Sequence, residues 1–459
     1  MIDLALTAQI LLWLVVLGVF LASGQASIFH PLCVYLAFHA LVFIVRPLQI
    51  FLLDFDFGWK YIRIDPSETD LLKTFVATSA GLIVFAVASL AAGRSRVCFS
   101  DSRPEPFSPE QKRGLLMATL ILGPLVLYSI YRANTGGFVG EERGHVFVLT
   151  GDSGYVVEAQ FMAGPLICAW MAATRFNWRG VIPLLVYIAY RSYGGWMRWT
   201  IILLAFALAM TYAWQTRKRW LPIGAILAVI PALLLFHSLG RERTRFRHWL
   251  NGTTSQLAAE TAQAGLPDRE KLKRKYDGPD YANFDFLTFI LSVVPRRTES
   301  FTYGTQYLQL FTEPIPRKWW PGKPLGVPIV FFDLNHYGNF MGMTPTLVGD
   351  GWMSGGWVGL IITLGLVGWL LGFAHRQFWR RTQDNQFALL YIVGLAMVPQ
   401  WFRDGGISIT KFLFWNLSPL FFWMLCNWLA RGRMMPAFSV LIRPGRTVRL
   451  LESANLKSK

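Results

Sequence analysis

Charged side chains are scarce in this chain: Asp, Glu, Lys and Arg make up 15% of 459 residues, where a soluble domain carries roughly 25%. That shortage leaves too little polar surface for the two or three water-soluble domains that the length would otherwise allow. Cysteine is sparse as well. Cys33, Cys168 and Cys426 lie in apolar runs, Cys98 follows Arg94 and Arg96, and no two share metal-ligand spacing. Neither a disulfide framework nor a cysteine metal site is expected. A Walker lysine loop, an H-E-x-x-H helix and a G-x-S-x-G elbow are all missing, which removes the commonest nucleotide, zinc-protease and hydrolase chemistries. No internal repeat appears. The opening Met-Ile-Asp-Leu lacks a positively charged n-region, so the first apolar run reads as a span and not as a cleaved signal.

What the chain does have is apolar bulk. Hydrophobic residues reach 53%, with 19 Trp and 35 Phe, and a surface that must bury so much is an integral membrane surface. A bilayer-crossing helix needs about 20 apolar residues. Runs of that kind fall near 4–22, 28–53, 71–93, 114–131, 159–174, 181–197, 199–215, 221–237, 353–373, 386–402 and 412–430. The expected fold class is all-α: a polytopic helical membrane protein of about eleven spans, with one large extracytoplasmic loop between the eighth and ninth. The boundaries are 1–237 for spans one to eight, 238–351 for the loop subdomain, 352–430 for the last three spans and 431–459 for a basic tail.

Orientation follows from the basic residues in short loops. Loops 94–113, 175–180, 216–220 and 374–385 and the tail hold twenty Lys and Arg, while the alternate loops hold eight. The richer set belongs in the cytoplasm, which places the N-terminus outside and the C-terminus inside. The formal net charge of +17 does not point to nucleic acid, because the bilayer divides the basic residues between two faces. Membrane lipids are the expected contact for much of it.

The long loop is basic too, and there the arginines need a reason. Arg241, Arg243 and Arg245 alternate with other residues directly after the eighth span. Arg191 and Arg198 flank the turn Ser192-Tyr193-Gly194-Gly195-Trp196-Met197 at the same membrane level. Guanidinium grips phosphate oxygens bidentately, and a charge at membrane depth costs roughly 2.5–3.5 kcal/mol on insertion scales, so it needs a partner or a task. The bland alternative is snorkelling to the interface. A second constellation, Pro316-Arg317-Lys318-Trp319-Trp320-Pro321-Gly322-Lys323-Pro324, joins a stiffened backbone to aromatic platforms suited to sugar rings. Tyr303 lies upstream of it. A third holds His336 and Asp350, candidates for a base, in a glycine-rich approach to the ninth span (Gly349, Gly351, Gly355, Gly356, Gly359). Should the substrate carry a pyrophosphate, arginine is expected to neutralise it, with no metal ligand set and no cofactor.

These features together resemble the bacterial O-antigen polymerase (Wzy-like) and oligosaccharide repeat-unit polymerase family. The resemblance rests on the many spans, the late outer loop, residues 316–324, Thr344-Pro345-Thr346 and the glycine-rich entry at 349–359. Its best extent is about 285–375, with weaker correspondence at 191–200 and 237–247. It implies an inner-membrane glycosyltransferase with its active face toward the periplasm. Such an enzyme passes a glycan chain from undecaprenyl pyrophosphate to the sugar hydroxyl of another carrier-linked unit, in an inverting, metal-independent transfer. Partners implied are the undecaprenyl-pyrophosphate-linked oligosaccharide and chain-length-regulating and flippase proteins. On this resemblance Arg198, Arg241, Arg243 and Arg317 match arginines of the family, with Arg243 among the catalytic candidates. The related O-antigen ligases use a histidine of the late loop, which His336 matches only in part. A ligase, and a transporter or flippase of the same lipid-linked glycan, stand as alternatives.

Overall fold

The computed structural model describes residues 1–53, 55, 66–95, 104–134, 140–143, 146–149, 156, 158–194, 198–221, 282–312, 315, 319–320, 322, 332, 334–337, 344–406 and 408–431. Helix dominates. α1 (Ile2–Ala22) is followed by α2 (Pro31–Ala40), a π-helical turn (Leu41–Val45) and α3 (Arg46–Phe51), which form one continuous rod. Then come α4 (Glu68–Ala92), α5 (Pro109–Asn134), α6 (Ala163–Ala173), α7 (Trp178–Gly194) and α8 (Arg198–Gln215). After residue 282 stand α9 (Asn283–Val293), α10 (Thr346–Arg380), α11 (Asn385–Asp404) and α12 (Ser408–Arg431). Among the described residues, six helices are long and apolar enough to cross a membrane: Ile2–Ala22, Pro31–Phe51, Glu68–Ala92, Pro109–Ala133, Thr346–Arg380 and Phe412–Ala430. Large apolar side chains point outward along them, for example Leu11, Val15, Val87 and Val358. Water would penalise such a surface, and hydrocarbon would not.

Local chemistry explains the helix starts. Pro31 occupies the first turn of α2, where its missing N–H costs nothing, and His30 Nδ1 accepts from the Leu32 amide at 3.1 Å. Ser67 and Asp70 form a reciprocal capping box at α4, and Asp384 caps α11.

α4 and α10 make the most extensive pairing in the molecule and run parallel. A Cβ added to Gly81 would strike Leu364, one on Gly368 would lie 2.9 Å from the Phe85 carbonyl oxygen, and one on Gly372 would collide with that of Ser89. The matching steps of four on each helix mark a small-residue seam, which lets two backbones touch where lipid supplies no hydrophobic drive between helices.

Contacts between helix ends sort them into two groups. At one, here the polar end, lie the starts of α1, α4 and α10 and the ends of α3 and α11. Their links include Met1 to Glu68 (3.7 Å), Arg46 to Asp285 (2.7 Å) and the Gly406 amide to Asp350 (2.9 Å). At the other, the basic end, His375 faces the Gly93 carbonyl, Trp214 donates to the Thr382 carbonyl and the Ile28 amide bonds the Arg219 carbonyl.

The all-α expectation holds, apart from one short hairpin in which β1 (Gly140–Arg143) and β2 (Val146–Leu149) pair antiparallel, Gly140 opposite Leu149. Within 238–351, every residue of α9 is buried, and it packs against α4 and α10. The boundary placed between 351 and 352 falls inside α10. That helix breaks at Gly355 and Gly356, the latter at φ +59°, where a side chain would be strained and would meet Phe301. A Cβ on Gly351 would lie 2.9 Å from Leu360 Cα, a separation no straight helix allows between residues nine apart. Thr346–Ser354 therefore doubles back against the start of the long helix. The run 221–237 lies outside the described residues apart from Leu221.

Candidate functional site at the polar end

The polar end gathers buried charge from distant parts of the chain. Arg46 and Asp285 form a doubly hydrogen-bonded pair, Nε to Oδ1 at 3.2 Å and Nη2 to Oδ2 at 2.7 Å, with both side chains nearly inaccessible. This pair pins α9 to α3. Asp70 takes an ion pair from Arg296 at 3.2 Å. Lys73 donates to the Leu291 carbonyl and lies 4.4 Å from the Trp352 ring centroid.

Asp350 sits in the doubled-back turn and is buried. Its Oδ2 accepts from the Tyr307 hydroxyl and from the Gly406 amide, both at 2.9 Å. It thereby ties α10, the 302–307 segment and the α11–α12 turn together. Burial, and then the Asp350 charge and hydrogen bond, raise the Tyr307 phenol, which stays protonated and donates. Next to Gly405 stand Gln400, Arg403 and Asp404, all buried. Gln400 Nε2 donates to Asp404 Oδ2, and Arg403 Nη1 lies 3.9 Å from Oδ1.

Arg191 occupies a second part of this end. It is 2% exposed, although the alternative drawn from its position was snorkelling. Nη1 donates to Gln160 Oε1 at 2.7 Å, while Nε and Nη2 donate to Thr200 Oγ1 at 3.2 and 3.0 Å. The Phe161 and Tyr187 rings lie against the guanidinium at 5.5 and 5.7 Å. Ser129 holds the Gln160 amide in turn. No carboxylate pairs with Arg191 among the described residues. Phe161 meets Phe412 of α12, and α11 packs on α8, so α11 and α12 separate this arginine from Asp350 while touching both regions.

The remaining candidates divide. Tyr303 and Trp319 are largely exposed, Trp320 less so, and His336 is exposed in a one-turn 3-10 helix. Arg198 opens α8, but its side chain lies outside the description. Arg241, Arg243, Arg245, Arg317, Lys318 and Lys323 lie outside the described residues. The structure thus brings Asp350 together with Tyr307, while Arg191 lies at the same end on other helices, with α11 and α12 between.

Several buried groups were missed. His39 is one of them: it contacts Gln9 Nε2 at 3.2 Å, and Gln9 also donates to the Phe43 carbonyl of the π turn at 2.9 Å. Asp404 was also overlooked, although Arg403-Asp404-Gly405-Gly406 has the same glycine-beside-acid character as 349–351. The expectation of metal-free chemistry took no account of the spacing Asp54-Phe55-Asp56, whose two acids lie outside the described residues. Among the described residues, no group of three or more His, Cys, Asp or Glu is placed to hold a metal.

Fold and site together define a helical protein with at least six helices able to cross a membrane and a buried charged layer at one end. No family model, curated protein or solved structure matches the chain.

Proposed function

We propose that the protein is a polysaccharide polymerase of the bacterial inner membrane. It transfers a glycan chain from undecaprenyl pyrophosphate to a sugar hydroxyl of another carrier-linked repeat unit. On this reading the polar end faces the periplasm and the basic end the cytoplasm. Arg94, Arg113, Arg175, Arg217, Arg219, Arg376 and Arg381 all stand near the helix termini of the basic end. The described chain stops at that end at Leu221 and resumes at the polar end at Ala282. The reading keeps eleven spans with the N-terminus outside.

Arg191 carries the proposal. A buried cation with neutral hydrogen-bond partners and no carboxylate is costly unless an anion joins it. Three of its five N–H groups are engaged by Gln160 and Thr200, which fix its orientation and leave donors for phosphate oxygens. It stands beside the helix that Arg198 opens. Arg241, Arg243, Arg245 and the Arg317-Lys318 segment supply further cations in the same reading.

In the reaction, the acceptor hydroxyl oxygen attacks the anomeric carbon on the face opposite the diphosphate. The C–O bond to phosphate breaks, its electron pair leaves with the carrier, configuration inverts, and the proton of the acceptor hydroxyl passes to the departing diphosphate or to water. Guanidinium groups aimed at the leaving oxygens stabilise charge that grows only in the transition state. Trp319 and Trp320 offer exposed platforms for the glycan.

Deletion of the gene tests this directly. The account expects single repeat units to accumulate on carrier or final acceptor without long polymer, and normal-length polymer contradicts it. Accumulation of free carrier-linked polymer would instead mark a ligase. The buried His39, Gln9 and Thr78 network favours a second reading, a transporter of the same lipid-linked glycan. That reading predicts repeat units confined to the cytoplasmic leaflet.

A further inference from the structure

A cluster of buried polar atoms without hydrogen-bond partners surrounds the end of α11. Asp404 Oδ1, Gln400 Oε1, Trp401 Nε1 and Gln306 Oε1 are all in that condition. Native interiors rarely leave such atoms unpaired, since each costs on the order of 1–3 kcal/mol. Four of them in one small region need an explanation.

The hydrogen bonds that do form orient the groups. Gln400 Nε2 donates to Asp404 Oδ2, so the amide oxygen of Gln400 and Oδ1 of Asp404 are both left as acceptors. Gln306 Nε2 donates to Ser354 Oγ at 2.6 Å, which leaves its carbonyl oxygen as an acceptor too. Arg403 Nη1 lies 3.9 Å from Asp404 Oδ1, too long for a hydrogen bond. Trp401 adds an indole N–H. The rim is low: Gly405 and Gly406 carry no side chains, and Gly406 is partly exposed. Across that rim lie Asp350 and Tyr307, the latter 2.9 Å from a Cβ added to Gly406.

The unpartnered oxygens of Asp404, Gln400 and Gln306 call for a ligand rich in donors. Phosphate, all acceptor, would be repelled. A pair of sugar hydroxyls supplies two O–H donors and can take the indole N–H on its own oxygen. We infer that Asp404, Gln400 and Trp401 form the subsite that holds hydroxyl groups of the acceptor sugar, opposite the cationic diphosphate site. This rests on the glycosyltransferase reading above and assigns the acceptor side of that same site. Asp404 and Gln400 act as binding and positioning groups for the attacking unit.

The test uses full-length protein in detergent with two substrates taken from the deletion strain: its extracted carrier-linked repeat unit as donor, and the same oligosaccharide released by mild acid as free acceptor. Initial rates are measured against acceptor concentration at fixed donor. Asp404→Asn and Gln400→Ala are expected to raise the acceptor KM at least tenfold, with donor KM unchanged, and Asp404→Glu to recover part of the loss. If Asp404→Asn fails to accumulate as folded protein, Gln400→Ala and Trp401→Phe carry the test, since neither removes a charge. Turnover by the wild type with wild-type acceptor KM in the variants overturns this inference alone, as buried water filling the cluster would give. No turnover by the wild type overturns the polymerase reading and this inference with it.

Discussion

Arg191 and Arg46 are both guanidinium groups buried at the same end of the bundle, and their partners give them different work. Arg46 has Asp285 at 2.7 Å, so its charge is matched within the protein. Removing one member of such a pair strands the other, which costs about 3–5 kcal/mol. Asp285→Asn should therefore lower the melting temperature sharply in detergent, whereas a double change of Arg46 and Asp285 to apolar residues should recover much of it. Arg191 has only neutral hydrogen-bond partners, and its loss should spare folding more than activity. Arg191→Ala, Arg198→Ala and Arg243→Ala are each expected to abolish polymer at normal protein level. Lys at these positions should rescue only partly, because an ammonium cannot grip phosphate bidentately. Polymer of wild-type length in the Ala variants would remove the arginines from the site.

At the scale of elements, the helices were readable because apolar run length is a property of local sequence. Every described run expected to be a span is helical, including the short pair around 159–174 and 181–197. Partners across the bundle were not readable. Nothing local says that Asp285 of α9 meets Arg46, or that Gly406 reaches back to Asp350, because those contacts are made by packing across more than fifty residues of chain. The glycine-rich stretch 349–359 did indicate close backbone approach, and Gly351 against Leu360 is such an approach. What it did not indicate is that the approach is made by the chain reversing on itself. The seam between α4 and α10 gives the firmest element-level prediction. Gly368→Leu puts a branched side chain where even a Cβ lies 2.9 Å from the Phe85 carbonyl. Overpacking of that kind costs about 1–3 kcal/mol or more. Thermal unfolding of purified protein should show the loss, while Gly123→Leu, where nothing lies within 4 Å of an added Cβ, should be silent.

For the whole molecule, the two ends are chemically unlike. One carries basic residues at helix termini, as a cytoplasmic face does, and the other buries ion pairs and an arginine with neutral partners. Single cysteines placed at Glu68 and at Gln383 should label with an impermeant maleimide only from the periplasmic and only from the cytoplasmic side, respectively. The reverse pattern would invert the topology and detach the site from carrier-linked substrates outside the cytoplasm. The central claim is that guanidinium groups at the polar end take up the diphosphate of a lipid carrier while a sugar chain moves to a new hydroxyl. Purified full-length protein given carrier-linked repeat units from the deletion strain, with and without EDTA, tests it most directly. The account predicts polymer and free carrier diphosphate in equal steps, undiminished by EDTA and lost in Arg191→Ala. Turnover that needs a divalent ion, or that survives the loss of Arg191, would contradict it.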